Sequence, residues 1–138
     1  MGTWAVDAFG NDYAQDWAQD LHETSNMDAV EDTLDTALDQ AAGELDAPFA
    51  AEALVAIEVL ARLQGKGGAR SEDSALVDEW VDARKPKAKP RADLAEKAAR
   101  ALDRILSEQS ELRELWEDSE HYEEWRASVV DLRARLGA

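Results

Sequence analysis

Four aspartates, Asp28, Asp32, Asp35 and Asp39, stand at i, i+4, i+7 and i+11. On a helix that spacing lines them along one narrow stripe. Asp12, Asp16, Asp20 and Glu23 form a second such row upstream. Neither stretch places a Lys or Arg four residues after an acid, and like charges at that spacing are mildly destabilising. Three chemistries fit such rows. They can be a solvated face, the commonest fate of a charge run. They can be a docking surface that steers a basic protein. They can be a magnesium site, because hard cations take carboxylate oxygens. The metal reading needs carboxylates that converge inside a helical bundle, as the Glu-x-x-Glu pairs of all-α nucleoside triphosphate hydrolases do. Here Glu31 and Asp35 are four apart rather than three. Glu120, Glu123 and Glu124 include a Glu-x-x-Glu spacing without an identifiable facing pair.

The rest of the chemical inventory is thin. With no cysteine among 138 residues, thiol catalysis, disulfides and Cys-type zinc sites are excluded. His22 and His121 are the two histidines. Each stands beside acids, and neither has a partner at a spacing that suggests a triad, which is a matter of geometry. Gly65-Lys66-Gly67-Gly68 lacks the spacing and the preceding strand of a phosphate-binding loop. No cofactor and no metal is assigned.

Charge narrows the partners. The net charge is −16, from 15 basic and 31 acidic residues. Residues 1–69 hold 14 acids against 2 bases, and residues 70–138 hold 17 against 13, so the excess is concentrated in the first half. Nucleic acid and anionic membranes are disfavoured, because little cationic charge is present to replace their counterions. A basic protein partner is favoured, and a chain selected for solubility in an acidic, salt-tolerant proteome is the plainer alternative. The one cationic cluster is Arg84, Lys85, Lys87, Lys89 and Arg91, threaded by Pro86 and Pro90, which reads as a solvated connector. No apolar run is long enough to cross a bilayer, and no basic stretch followed by an apolar one marks a secretory signal, so the cytoplasm is the expected location.

What must position these residues is helical. Apolar residues recur at helical spacing, and alternating β-branched runs are missing. The expected fold is an all-α, single-domain bundle of six or seven helices over residues 1–138. Residues 1–10 form an irregular N-terminal segment, and residues 65–72 and 85–90 are flexible loops. Asn11 or Asp12 caps a first helix with Ala14, Trp17, Ala18 and Leu21 facing inward. Ser25 or Asn26 caps a second, which Gly43 stops. Asp46 caps a third, with Pro48 in its first turn, and this most apolar helix belongs at the centre. Asp73 or Ser74 starts a fourth, and a fifth runs from Arg91 or Ala92 to Ser107. From Ser110 to Leu136 one straight helix fails. Leu112, Leu115 and Trp116 point about 110° away from Tyr122, Trp125, Val129, Leu132 and Leu136, which implies a break at Asp118-Ser119. Leu132 and Leu136 then lie near an exposed end, free to fray or to make a dimer contact. Of the five tryptophans, Trp17, Trp80, Trp116 and Trp125 fall on apolar stripes and are expected in the core.

The opening has a more individual pattern: Gly2, Trp4, Phe9, Asn11-Asp12 and Trp17 at fixed offsets, with Ala14, Asp16 and Leu21. It resembles the bacterial family of unknown function numbered 4259, whose members begin with a similar Gly-x-Trp…Phe-x-Asn-Asp…Asp-Trp run. The likeness continues weakly to Ser110, Glu111, Leu112, Leu115, Trp116 and Trp125. Ala5 and Asp7 stand where relatives tend to have glycines. The resemblance carries no activity with it. Physically, Trp4 and Phe9 can pin the N-terminal segment to the bundle, and Asn11 and Asp12 can accept backbone N–H bonds at a helix start. The competing reading has the segment close over a groove and present Asn11 and Asp12 to a ligand. Together these features point to a non-catalytic acidic interaction protein, an adaptor or inhibitor-type module for a basic protein, bound through Asp12, Asp16, Asp20, Asp28, Asp32, Asp35 and Asp39. The alternative is a metal-dependent all-α hydrolase.

Overall fold

Ala47–Leu63 is so apolar that only burial on nearly every side can hold it in water, and the computed structural model surrounds it accordingly. The structure describes residues 8–23, 27–39, 45–67, 70, 72–84 and 92–136. Among them lie seven α-helices: α1 (Asp12–His22), α2 (Asp28–Asp39), α3 (Ala47–Leu63), α4 (Ala75–Arg84), α5 (Ala92–Ile105), α6 (Glu111–Glu117) and α7 (Tyr122–Arg135). Helix α3 packs against all six others, and one continuous core runs from Phe9 to Leu136. The described residues contain no strand, only an isolated parallel bridge between Leu45 and Ser110.

The helix ends follow from local chemistry, with one exception. Asn11 Oδ1 accepts from Ala14 N at 2.9 Å, and Ser110 Oγ accepts from Arg113 N at 3.2 Å. Gly65, at φ 75°, closes α3: Lys66 N donates to Ala61 O and Gly65 N to Arg62 O. The exception is Asp46. It occupies the N-cap of α3, but its side chain makes no capping bond. Glu111 Oε1, from the first turn of α6, accepts from Ala47 N at 2.7 Å instead. The Leu45–Ser110 bridge brings the two helix starts together, so a carboxylate 64 residues away does the capping.

The expected break near Asp118-Ser119 separates α6 from α7, and Ser119 Oγ accepts from His121 N at 3.1 Å. Across the turn, Trp116 and Trp125 stack with ring centroids 6.3 Å apart. Trp17, Trp80, Trp116 and Trp125 are all buried. Leu132 and Leu136 are buried as well, so the end of α7 is neither a frayed tail nor an exposed contact. Trp4, the proposed Ser25 or Asn26 cap, the Gly43 stop and the connector 85–90 lie outside the described residues. Of the stretch 65–72, Gly65, Lys66, Gly67, Arg70 and Glu72 are described.

Candidate functional site

The two acid rows face outward because of their phase. In α2, Asp28, Asp32 and Asp35 each precede a buried residue, Val30, Leu34 or Ala37, by two positions. Two positions are about 200° of helical rotation. In α1, Asp12 and Asp16 precede the buried Ala14 and Ala18 in the same way. Asp12, Asp16, Asp20, Asp28, Asp32 and Asp39 are exposed, and Asp35 is half-buried. Both helices pack on α3, and Trp17 Nε1 donates to Thr33 Oγ1 at 2.8 Å, which fastens α1 to α2. The rows therefore belong to neighbouring helices.

The rows are not uniformly free. Lys97, on α5, reaches Asp35 with Nζ 2.7 Å from Oδ1. That hydrogen bond, with the charges of Asp35, Glu31 and Asp93, raises the Lys97 pKa against the opposing effect of burial. The partner comes from 62 residues away, where spacing within α2 could not reveal it. Among the described residues no ion pair is made by Asp12, Asp16, Asp20, Asp32 or Asp39.

Between α2 and α3 a crevice of about 220 Å³ is lined by Asp32, Thr33, Thr36, Phe49 and Glu52. Partial burial, and next the nearby charge of Asp20, push the Glu52 carboxyl above its ordinary pKa. Carboxylates from α1, α2 and α3 thus influence one place. They do not converge as metal ligands: among the described residues no three His, Cys, Asp or Glu side chains form a group that could hold a metal ion. Glu120, Glu123 and Glu124 are exposed at the start of α7.

A second charged assembly escaped the sequence reading. Inside apolar α3, Glu58 and Arg62 stand one turn apart, both buried. Arg62 Nη1 donates to Glu58 Oε2 at 2.9 Å, and Arg62 Nε donates to Asp78 Oδ1 of α4 at 2.9 Å. Ser74 Oγ donates to Asp78 Oδ2 at 2.7 Å, and Arg135 Nη2 of α7 donates to Glu58 Oε1 at 2.6 Å. Arg135 also donates to Lys66 O at 3.1 Å. Burial alone would weaken the Arg135 charge, yet hydrogen bonds and attraction from Glu58, then Asp131, raise its pKa. Two carboxylates and two guanidiniums balance, and all four carboxylate oxygens have donors. An assembly so fully paired holds helices together and leaves no group over for acid–base work. The signal was present in the sequence as an i, i+4 Glu–Arg pair in an otherwise apolar helix.

Of the opening motif, Phe9, Asn11, Asp12 and Trp17 are described. The Phe9 ring is buried and lies under the Arg62 guanidinium, 5.0 Å from its carbon. Asn11 caps α1, Asp12 sits in the first turn, and Trp17 bonds Thr33. His22 Nε2 lies 3.2 Å from Glu79 Oε2, and His121 Nδ1 lies 3.4 Å from Glu124 Oε1, both pairs exposed.

No helix among the described residues is long and apolar enough to cross a membrane. No curated protein and no solved structure matches the chain. A family model does match, over residues 2–128, and its span takes in the opening motif, both acid rows and the Glu58–Arg62–Asp78 assembly. The chain belongs to the family described as a domain of unknown function, DUF4259.

Proposed function

We propose that this chain is a non-catalytic acidic interaction module, of the adaptor or inhibitor type, that docks a basic protein through the outward face of α1 and α2. One observation carries the reading. Asp12, Asp16, Asp20, Asp32 and Asp39 project from two neighbouring helices without an ion-pair partner among the described residues, although thirteen of the chain's fifteen bases lie in its second half. Solvation alone does not require rows in which like charges repeat every turn at a small cost in stability. A face of one sign focuses field and raises the encounter rate with a partner of opposite charge. Nucleic acid would be repelled by a net charge of −16, which leaves a basic protein as the natural partner. The absence of cysteine suits action in the reducing cytoplasm.

The test is affinity capture from the native host with the parent chain and with a variant carrying Asp28→Asn, Asp32→Asn, Asp35→Asn and Asp39→Asn. The parent should retain a basic protein that high salt releases, and the variant should fold but lose it. Capture unaffected by both the replacement and the salt would end this reading.

A further inference from the structure

The crevice between α2 and α3 carries chemistry that the rows alone do not. Its 220 Å³ is smaller than the roughly 300–1,000 Å³ of pockets that enclose whole small molecules, so it suits one protruding side chain. The wall is mixed: the ring of Phe49, two threonine hydroxyls and the carboxylates of Asp32 and Glu52. Thr36 Oγ already donates its hydrogen to Asp32 O at 2.8 Å, so it has only lone pairs left to offer. Ionised Asp32 and Glu52 are likewise acceptors only. Thr33 Oγ1 accepts from Trp17 Nε1 and keeps one hydrogen to donate, but three acceptor groups against that one donor favour a ligand that only donates. An ammonium has three donors and no acceptor. The aromatic wall adds attraction for a cation and cover for an alkyl stem. The same carboxylates form no metal-holding group, so the expected cation is an organic one at the end of a chain.

We propose that this crevice seats one lysine side chain of the partner, its ammonium held by Asp32, Glu52 and the Thr36 hydroxyl and its stem along Phe49. The proposal rests on the docking role of the α1–α2 face and assigns that face its specific anchor. Glu52, held toward its protonated form by burial and by Asp20, would ionise more readily once the ammonium arrives.

The test titrates hexalysine into the full chain at low salt and follows side-chain carboxyl carbons by NMR. The largest shifts should fall on Glu52 and Asp32, and the Glu52 titration midpoint should move down. Glu52→Gln should weaken binding about tenfold, the scale of one lost hydrogen bond to a charged group, while Asp39→Asn, also on the α2 row, should cost less than about threefold. Circular dichroism and thermal melting confirm that both variants fold. If Glu52→Gln and Asp39→Asn weaken binding equally, the lysine seat is wrong and the docking face stands. If hexalysine binds no better to the parent than to the four-Asn variant, both ideas fall.

Discussion

Arg62 of α3 and Asp78 of α4 are joined inside the protein, Nε to Oδ1 at 2.9 Å, with both side chains more than nine-tenths buried. The same guanidinium holds Glu58 and covers Phe9, so one side chain ties together α3, α4 and the segment before α1. Removing it takes the shared buried cation from two carboxylates, leaving Glu58 with Arg135 and Asp78 with the Ser74 hydroxyl and the more distant Arg70. Arg62→Ala should destabilise the fold by about 3–5 kcal/mol, the cost of breaking a buried pair. Arg135→Ala, at a partly buried site beyond the span matched by the family, should cost clearly less, because Glu58 keeps its bond to Arg62. Urea denaturation monitored by tryptophan fluorescence measures both.

Gly67 lies against the same guanidinium. A Cβ there would stand 2.5 Å from Arg62 Cγ and 2.9 Å from Nη1. Arg62 is held by Glu58 and Asp78 and cannot give way cheaply. Gly67→Ala should therefore cost about 1–3 kcal/mol, the usual penalty for overpacking. Its combination with Arg62→Ala should be less than additive in the same unfolding assay.

The caps give a paired contrast. Asn11→Ala removes a real capping bond and should cost ~1 kcal/mol. Asp46→Ala should cost much less than that, because the Asp46 side chain makes no cap bond. The loss expected at Asp46 should appear instead with Glu111→Ala, whose carboxylate caps α3 at Ala47. Melting temperatures of the three variants decide the order.

Glu52 sets a pH dependence of definite sign. Burial, then Asp20, raises its pKa above the ordinary 4.5, so the folded chain binds that proton more tightly than the unfolded one. Its contribution to stability is fullest below the unfolded value, falls as pH rises from there through the raised folded value, and then levels. Other acids titrate alongside it, so the comparison is with Glu52→Gln. The difference in urea midpoint should grow in favour of the variant as pH rises from about 4 to about 7. A constant difference would contradict the assignment.

Much of this was legible before the structure. The spacing of Asp28, Asp32, Asp35 and Asp39 gave the stripe, and the mismatch between Trp116 and Trp125 gave the break after α6. What stayed hidden was long-range pairing. Lys97 on Asp35, Glu111 on Ala47 and Arg135 on Glu58 each join residues more than sixty positions apart, which no helical period encodes. The Glu58–Arg62 pair was visible, but the apolar residues around it mask its partners until α4 and α7 are packed against α3.

The docking role proposed for the α1–α2 face is tested most directly by the rate at which a basic protein captured with the chain associates, measured by stopped flow at increasing salt. Between about 10 mM and about 150 mM salt the screening length shrinks from ~30 Å to ~8 Å. The parent's rate constant should fall by about tenfold or more over that range. A chain with Asp12, Asp16, Asp28 and Asp32 replaced by Asn should associate slowly, with a much flatter salt dependence. Equal rate constants for the two chains, unchanged by salt, would contradict the role assigned to this face.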